Sequence, residues 1–176
     1  MAVYQYKREP LSDQEATKII NAAETPTEKI IIYTLLDTGI RVSELATLTK
    51  NNIQWQERRI VIYGKSGPYG SKSKHRIIPM TERVYTVLSA WFAFKDKMGL
   101  IPRTIQYHVT KVANRTGITK KVSPNVLRHT FAVNCIKKNI STRTLQHLLG
   151  HNHLTTTEIY LNLSPEDACR EFVAKF

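Results

Sequence analysis

The chain has 176 residues, enough for one domain with a real core, and sets 26 lysines and arginines against 14 acidic residues, for a formal net charge of +12. That excess points to a polyanion as partner. No apolar run reaches the ~18 residues of a membrane span, no signal-peptide core opens the chain, and Cys135 and Cys169 lack CxxC spacing; a soluble protein with reduced thiols in the cytoplasm is expected.

Residues 1–10 read as a tail or the end of a linker closed by Pro10, and residues 11–176 as one domain. Ser12 with Glu15 three residues later makes a capping box that opens a helix to about Ala23. Thr25-Pro26 opens a second helix, with Ile30, Ile31, Tyr33, Thr34 and Leu35 largely buried, that ends at Gly39. Arg41 follows in the turn that starts the short helix of VSELATL, and Glu44, one helical turn on, is placed to orient it. From Asn52 the period changes. The β-branched runs at 58–65 and 74–80 flank a loop with Gly64, Gly67, Pro68 and Gly70, which reads as a hairpin. With 53–55 as a short partner strand, the expected fold is mainly α with one small three-stranded antiparallel sheet.

Thr81 caps a helix through Trp91 and Phe94, and 102–117 form another with Ile105, His108, Val109, Val112 and Ala113 on one face. Lys111, Arg115, Lys120 and Lys121 on this stretch, with Lys72, Lys74 and Arg76 on the hairpin, are the candidates for contact with phosphates. Ser123-Pro124 opens a helix that carries Asn125 and Arg128 one turn apart, while His129 points elsewhere and reads as structural. Ser141 caps the next helix, which ends at Gly150. His151 then stands at a rigid corner, able to donate to a phosphate oxygen. His147, His151 and His153 do not read as a metal site, because Gly150 breaks the helix between the first two and only Glu158 stands near as a further ligand. Tyr160 lies nine residues beyond His151, and Ser164-Pro165 opens a last helix with Ala168, Cys169, Phe172 and Val173 on one side.

These residues suggest phosphoryl transfer. Two planar guanidiniums, here Arg41 and Arg128, suit a phosphate diester because each can hold two oxygens at once. A phenol near them, Tyr160, can attack phosphorus and form a covalent intermediate.

TGIRVSEL (38–45), then VLRHTFA, LLGH and the tyrosine (126–160), resemble in order and spacing the two signature blocks of the tyrosine recombinase family, the Xer-type and phage integrase-like enzymes. With a weaker lysine block between them, the resemblance covers residues 11–176 and implies the family's catalytic domain, without the helical DNA-binding domain that usually precedes it. It implies metal-free cleavage and rejoining of double-stranded DNA through a 3′-phosphotyrosine, with no cofactor, and self-association through the C-terminal helix. Tyr160 would be the nucleophile; Arg41, Arg128 and His151 would stabilise the transition state. The general acid would be a hairpin lysine. Lys65, 24 residues after Arg41, fits the Xer-type spacing, and Lys72 is the alternative, because the loop between them is longer than in that pattern. Asn125 departs from the family's histidine or lysine at this position and cannot take up a proton near neutral pH. A type IB topoisomerase, and a DNA-binding regulator impaired in catalysis, are the competing readings.

Overall fold

The structure, a computed structural model, describes residues 9–64, 75–150 and Val173. The helices begin where local chemistry starts them. Ser12 caps α1 (Asp13–Ala22) and Thr25 caps α2 (Pro26–Thr38), each closing a full capping box with a glutamate three residues on, Glu15 and Glu28. Thr81, Ser123 and Ser141 accept from the third residue of α4 (Glu82–Phe92), α6 (Pro124–Lys137) and α7 (Thr142–Leu149). Pro102, with no N–H to lose, opens α5 (Pro102–Asn114). The short α3 (Val42–Ala46) starts directly after Arg41.

Between α3 and α4 lies a three-stranded antiparallel sheet in the order β1-β2-β3, formed by β1 (Ile53–Gln54), β2 (Arg59–Tyr63) and β3 (His75–Pro79). Ile60 faces Ile78 and Tyr63 faces His75 across the β2–β3 ladder. The expected mostly helical fold with a small sheet is what the described residues form. The hairpin loop and the last helix lie outside them, apart from Val173, which is helical.

The centre of the fold is α2. Ile30, Ile31, Ile32 and Leu35 have no exposed surface, and the helix packs against α1, α3, α4, α5 and α6. Each such side chain contributes roughly 1.5–3 kcal/mol of burial, so the helix that delivers Gly39 and Arg41 is firmly anchored. A smaller cluster of Ala132, Cys135, Leu145 and Leu149, with Phe131, Ile136 and Ile140 against it, joins α7 to α6. Burial lifts the Cys135 thiol to about 11, which makes it inert packing. No helix among the described residues is long and apolar enough to cross a membrane.

The α2–α6 contact depends on one glycine. Gly39 ends α2 at φ +61°, and a Cβ there would overlap the Phe131 ring. Gly39→Ala is therefore expected to lower stability by about 3 kcal/mol, from left-handed backbone strain plus the displaced ring. Thermal unfolding beside the wild-type chain checks this, and a midpoint within a degree of wild type would contradict it.

Candidate active site

The end of α2 and the end of α7 face each other, and arginines fill the space between them. Arg128 projects from the second turn of α6 and is 7% exposed. Its Nη1 donates to the Gly39 carbonyl and its Nη2 to the Leu149 carbonyl at 2.8 Å. Both acceptors are helix-terminal carbonyls that have no partner within their own helix. One buried guanidinium thus ties three elements together.

Arg41 sits across from it. Ile40, fully buried, anchors the chain, and Arg41 takes the extended N-cap position of α3. Its backbone N–H donates to Glu44 Oε2 at 2.7 Å and its Nη1 to Oε1 at 3.1 Å. Its Nη2 reaches the Gly150 carbonyl at 3.5 Å, the limit of a hydrogen bond. The side chain stays 44% exposed. Arg41 is the open member of the cluster.

A third guanidinium completes the arrangement. Arg76, on β3, donates through Nη1 and Nη2 to the two oxygens of Glu44 at 2.7 and 2.6 Å, and through Nε to the Leu148 carbonyl at 2.9 Å. The carbonyls of Leu148, Leu149 and Gly150, at the negative end of the α7 dipole, therefore face Arg76, Arg128 and Arg41 in turn. Burial pushes the Glu44 carboxyl upward, but the Arg76 fork, the Arg41 amide and both guanidinium charges outweigh it and hold it at about 2. Three permanent cations against one carboxylate leave a net positive site. A phosphate diester, with one negative charge, suits it.

The structure thus brings together Arg41, Glu44, Arg76 and Arg128. Asn125 is exposed in the first turn of α6, one turn ahead of Arg128. His129 is buried, and burial lowers its pKa. Lys65, Lys72, Lys74, His151 and Tyr160 lie outside the described residues.

Four of the basic residues expected to face phosphates, Arg76, Lys111, Arg115 and Lys120, have carboxylate partners within the fold. Arg115 grips the fully buried Glu28 with Nη1 at 2.7 Å and Nη2 at 2.9 Å, and Lys111 reaches the same carboxylate at 3.5 Å. Lys120 bonds Glu15 at 2.7 Å and the Pro10 carbonyl at 2.7 Å. Arg76 is spent inside the site. Lys121 is exposed. Sequence reading passed over Glu28 as a structural centre, although Thr25-Pro26-Thr27-Glu28 carries a capping-box signature.

Comparison with known proteins gives the chain's family. The model of the phage integrase family matches residues 9–167. The chain is 31% identical over 173 residues to the tyrosine recombinase XerA of Thermococcus onnurineus, covering 89% of this chain and 58% of that protein. It is 30% identical over 158 residues to the tyrosine recombinase XerC of Listeria monocytogenes, covering 83% of this chain and 53% of the relative. The chain therefore spans a little over half the length of these curated relatives. A crystal structure of a XerA recombinase superposes with a TM-score of 0.80 at 28% identity, over 97% of this chain and 66% of that one.

Proposed function

The chain belongs to the phage integrase family, and from that premise we propose that residues 11–176 are the catalytic domain of a site-specific tyrosine recombinase acting on double-stranded DNA. The observation that carries the proposal is the convergence of Arg41 and Arg128, distant in sequence, on the neighbouring carbonyls of Gly150 and Leu149. His151 follows Gly150 in the sequence, and Tyr160 lies nine residues further on.

The phenol oxygen of Tyr160 attacks the scissile phosphate. A 3′-phosphotyrosine forms, and the bond to the 5′ oxygen breaks. Arg41 and Arg128 hold the non-bridging oxygens as charge builds in the transition state, and His151 donates to one of them. Lys65, or Lys72 in its place, protonates the departing 5′ oxygen. The phenol passes its proton to water as it attacks, and the guanidinium charges favour the phenolate. Attack by a 5′ hydroxyl from another strand reverses the step, so the diester bond energy is conserved through the phosphotyrosine and no ATP is consumed. Strand exchange requires two bound sites, which places a second copy of the chain beside the first. The C-terminal helix supplies that contact, and Val173 on it is 75% exposed. A DNA substrate accords with a cytoplasmic setting and with the +12 charge.

The test needs no knowledge of the target site. The chain is incubated with negatively supercoiled plasmid in EDTA at low salt, then quenched with detergent. Relaxed plasmid and protein covalently bound to DNA are expected, and both should vanish in Tyr160→Phe. Adducts that persist in Tyr160→Phe, or a wild-type chain that forms none while binding plasmid, would overturn the assignment.

A further inference from the structure

We infer that Arg76 is a positioning residue for the proposed cleavage reaction, coupling the Arg41 side of the site to the end of α7. The inference rests on the recombinase reading but gives Arg76 a role other than the phosphate contact expected from the sequence.

Three observations carry it. The first is how the donors are distributed. Arg76 spends Nη1 and Nη2 on Glu44 and Nε on Leu148, and its side chain is only 12% exposed. Arg41 holds the same carboxylate through one terminal nitrogen at the longer distance of 3.1 Å and remains 44% exposed. The bidentate fork therefore takes the stronger share of Glu44. Without it, a carboxylate that is 16% exposed would have Arg41 as its only guanidinium partner among the described residues. Arg41 would be drawn into a closed ion pair, and its charge would be neutralised where a phosphate is to be bound.

The second observation is reach. Glu44 belongs to α3 and Leu148 to α7, and Arg76 on β3 touches both, so one rigid planar group sets the distance between Arg41 and the last turn before His151. The third is close fit. Gly150 turns the chain out of α7 at φ +67°, and a Cβ there would come within 3.0 Å of the Arg76 Cδ and Nη1. Gly150 lies directly against the Arg76 side chain. Lysine, with one point donor, cannot serve Glu44 and Leu148 in the same fixed plane.

The test uses the full 176-residue chain and supercoiled plasmid in EDTA. In Arg76→Gln, covalent adducts at saturating plasmid are expected to form about 100-fold more slowly, with the half-saturating plasmid concentration within about twofold of wild type. Arg76→Lys should not restore the rate. Arg76→Gln combined with Glu44→Gln should be no slower than the slower single variant, because the two side chains act as one unit. Hydrogen exchange supplies a readout free of activity: amides of α3 and α7 should lose protection in Arg76→Gln while those of α5 keep theirs. Several results would each overturn the inference: an adduct rate within about threefold of wild type, weaker plasmid saturation at an intact rate, or unchanged protection of α3 and α7. A wild-type chain that forms no Tyr160-dependent adduct would sink the recombinase reading instead, and exchange alone would then decide whether Arg76 couples the two elements.

Discussion

Arg128→Ala is expected to reduce covalent adduct formation by at least ~10²–10³-fold, the cost of removing one donor aimed at a developing charge. The same change leaves the buried carbonyls of Gly39 and Leu149 without the guanidinium that serves both. Stability should therefore fall by about 3 kcal/mol, since stranding a buried acceptor costs ~1–3 kcal/mol. For a chain of this size that lowers the thermal midpoint by roughly 6–12 °C. The two effects are separable. Adduct rates measured well below the variant's own midpoint report the chemistry, and the unfolding curve reports the tie between α2, α6 and α7. Arg128→Lys should recover part of the stability, because an ammonium can reach one of the two carbonyls, but little of the rate. A variant that cleaves at the wild-type rate would remove Arg128 from the mechanism.

Glu28→Gln should be the most damaging change away from the site. The carboxylate has no exposed surface, accepts from both terminal nitrogens of Arg115 and from the backbone amides of Glu24 and Thr25, and pairs with Lys111 at 3.5 Å. The Arg115 hydrogen bonds, working against burial and helped by those amides, hold its pKa at about 2, against an ordinary 4.5. A carboxyl whose pKa is depressed by folding stabilises the native state fully above its unfolded value. That contribution is lost as pH falls from about 4.5 towards about 2. At pH 7 it amounts to about 3 kcal/mol, and Glu28→Gln should be destabilised by a similar amount. The gap between wild type and variant should narrow steadily in denaturant titrations taken from pH 5 down to pH 2.5. A gap that does not change with pH would show that the charge of Glu28 is not what stabilises α2 against α5.

Much of this molecule is written locally. Ser12, Thr25, Thr81, Ser123 and Ser141 cap helices, Gly39 and Gly150 end them, and the change of period after Asn52 marks the sheet. These signals are legible because capping, left-handed termination and strand alternation each depend on a few neighbouring residues. The pairing of Glu44 with Arg41 was legible for the same reason, one helical turn being a fixed distance.

The partners of the long cations were not legible. Arg115, Lys111 and Lys120 look from the sequence like a basic surface, yet they meet Glu28 and Glu15 on helices far earlier in the chain. Arg76 looked like one more hairpin cation and instead closes on Glu44 and Leu148. A flexible side chain several bonds long takes whichever carboxylate or carbonyl the packing brings within reach, and no local pattern encodes that choice. The sequence by itself determined the helices, the sheet and the two arginine-bearing blocks. Only the tertiary structure decided that three guanidiniums, from the N-cap of α3, from α6 and from β3, meet at the last carbonyls of α7, because that meeting depends on how α2 and α7 pack against α6.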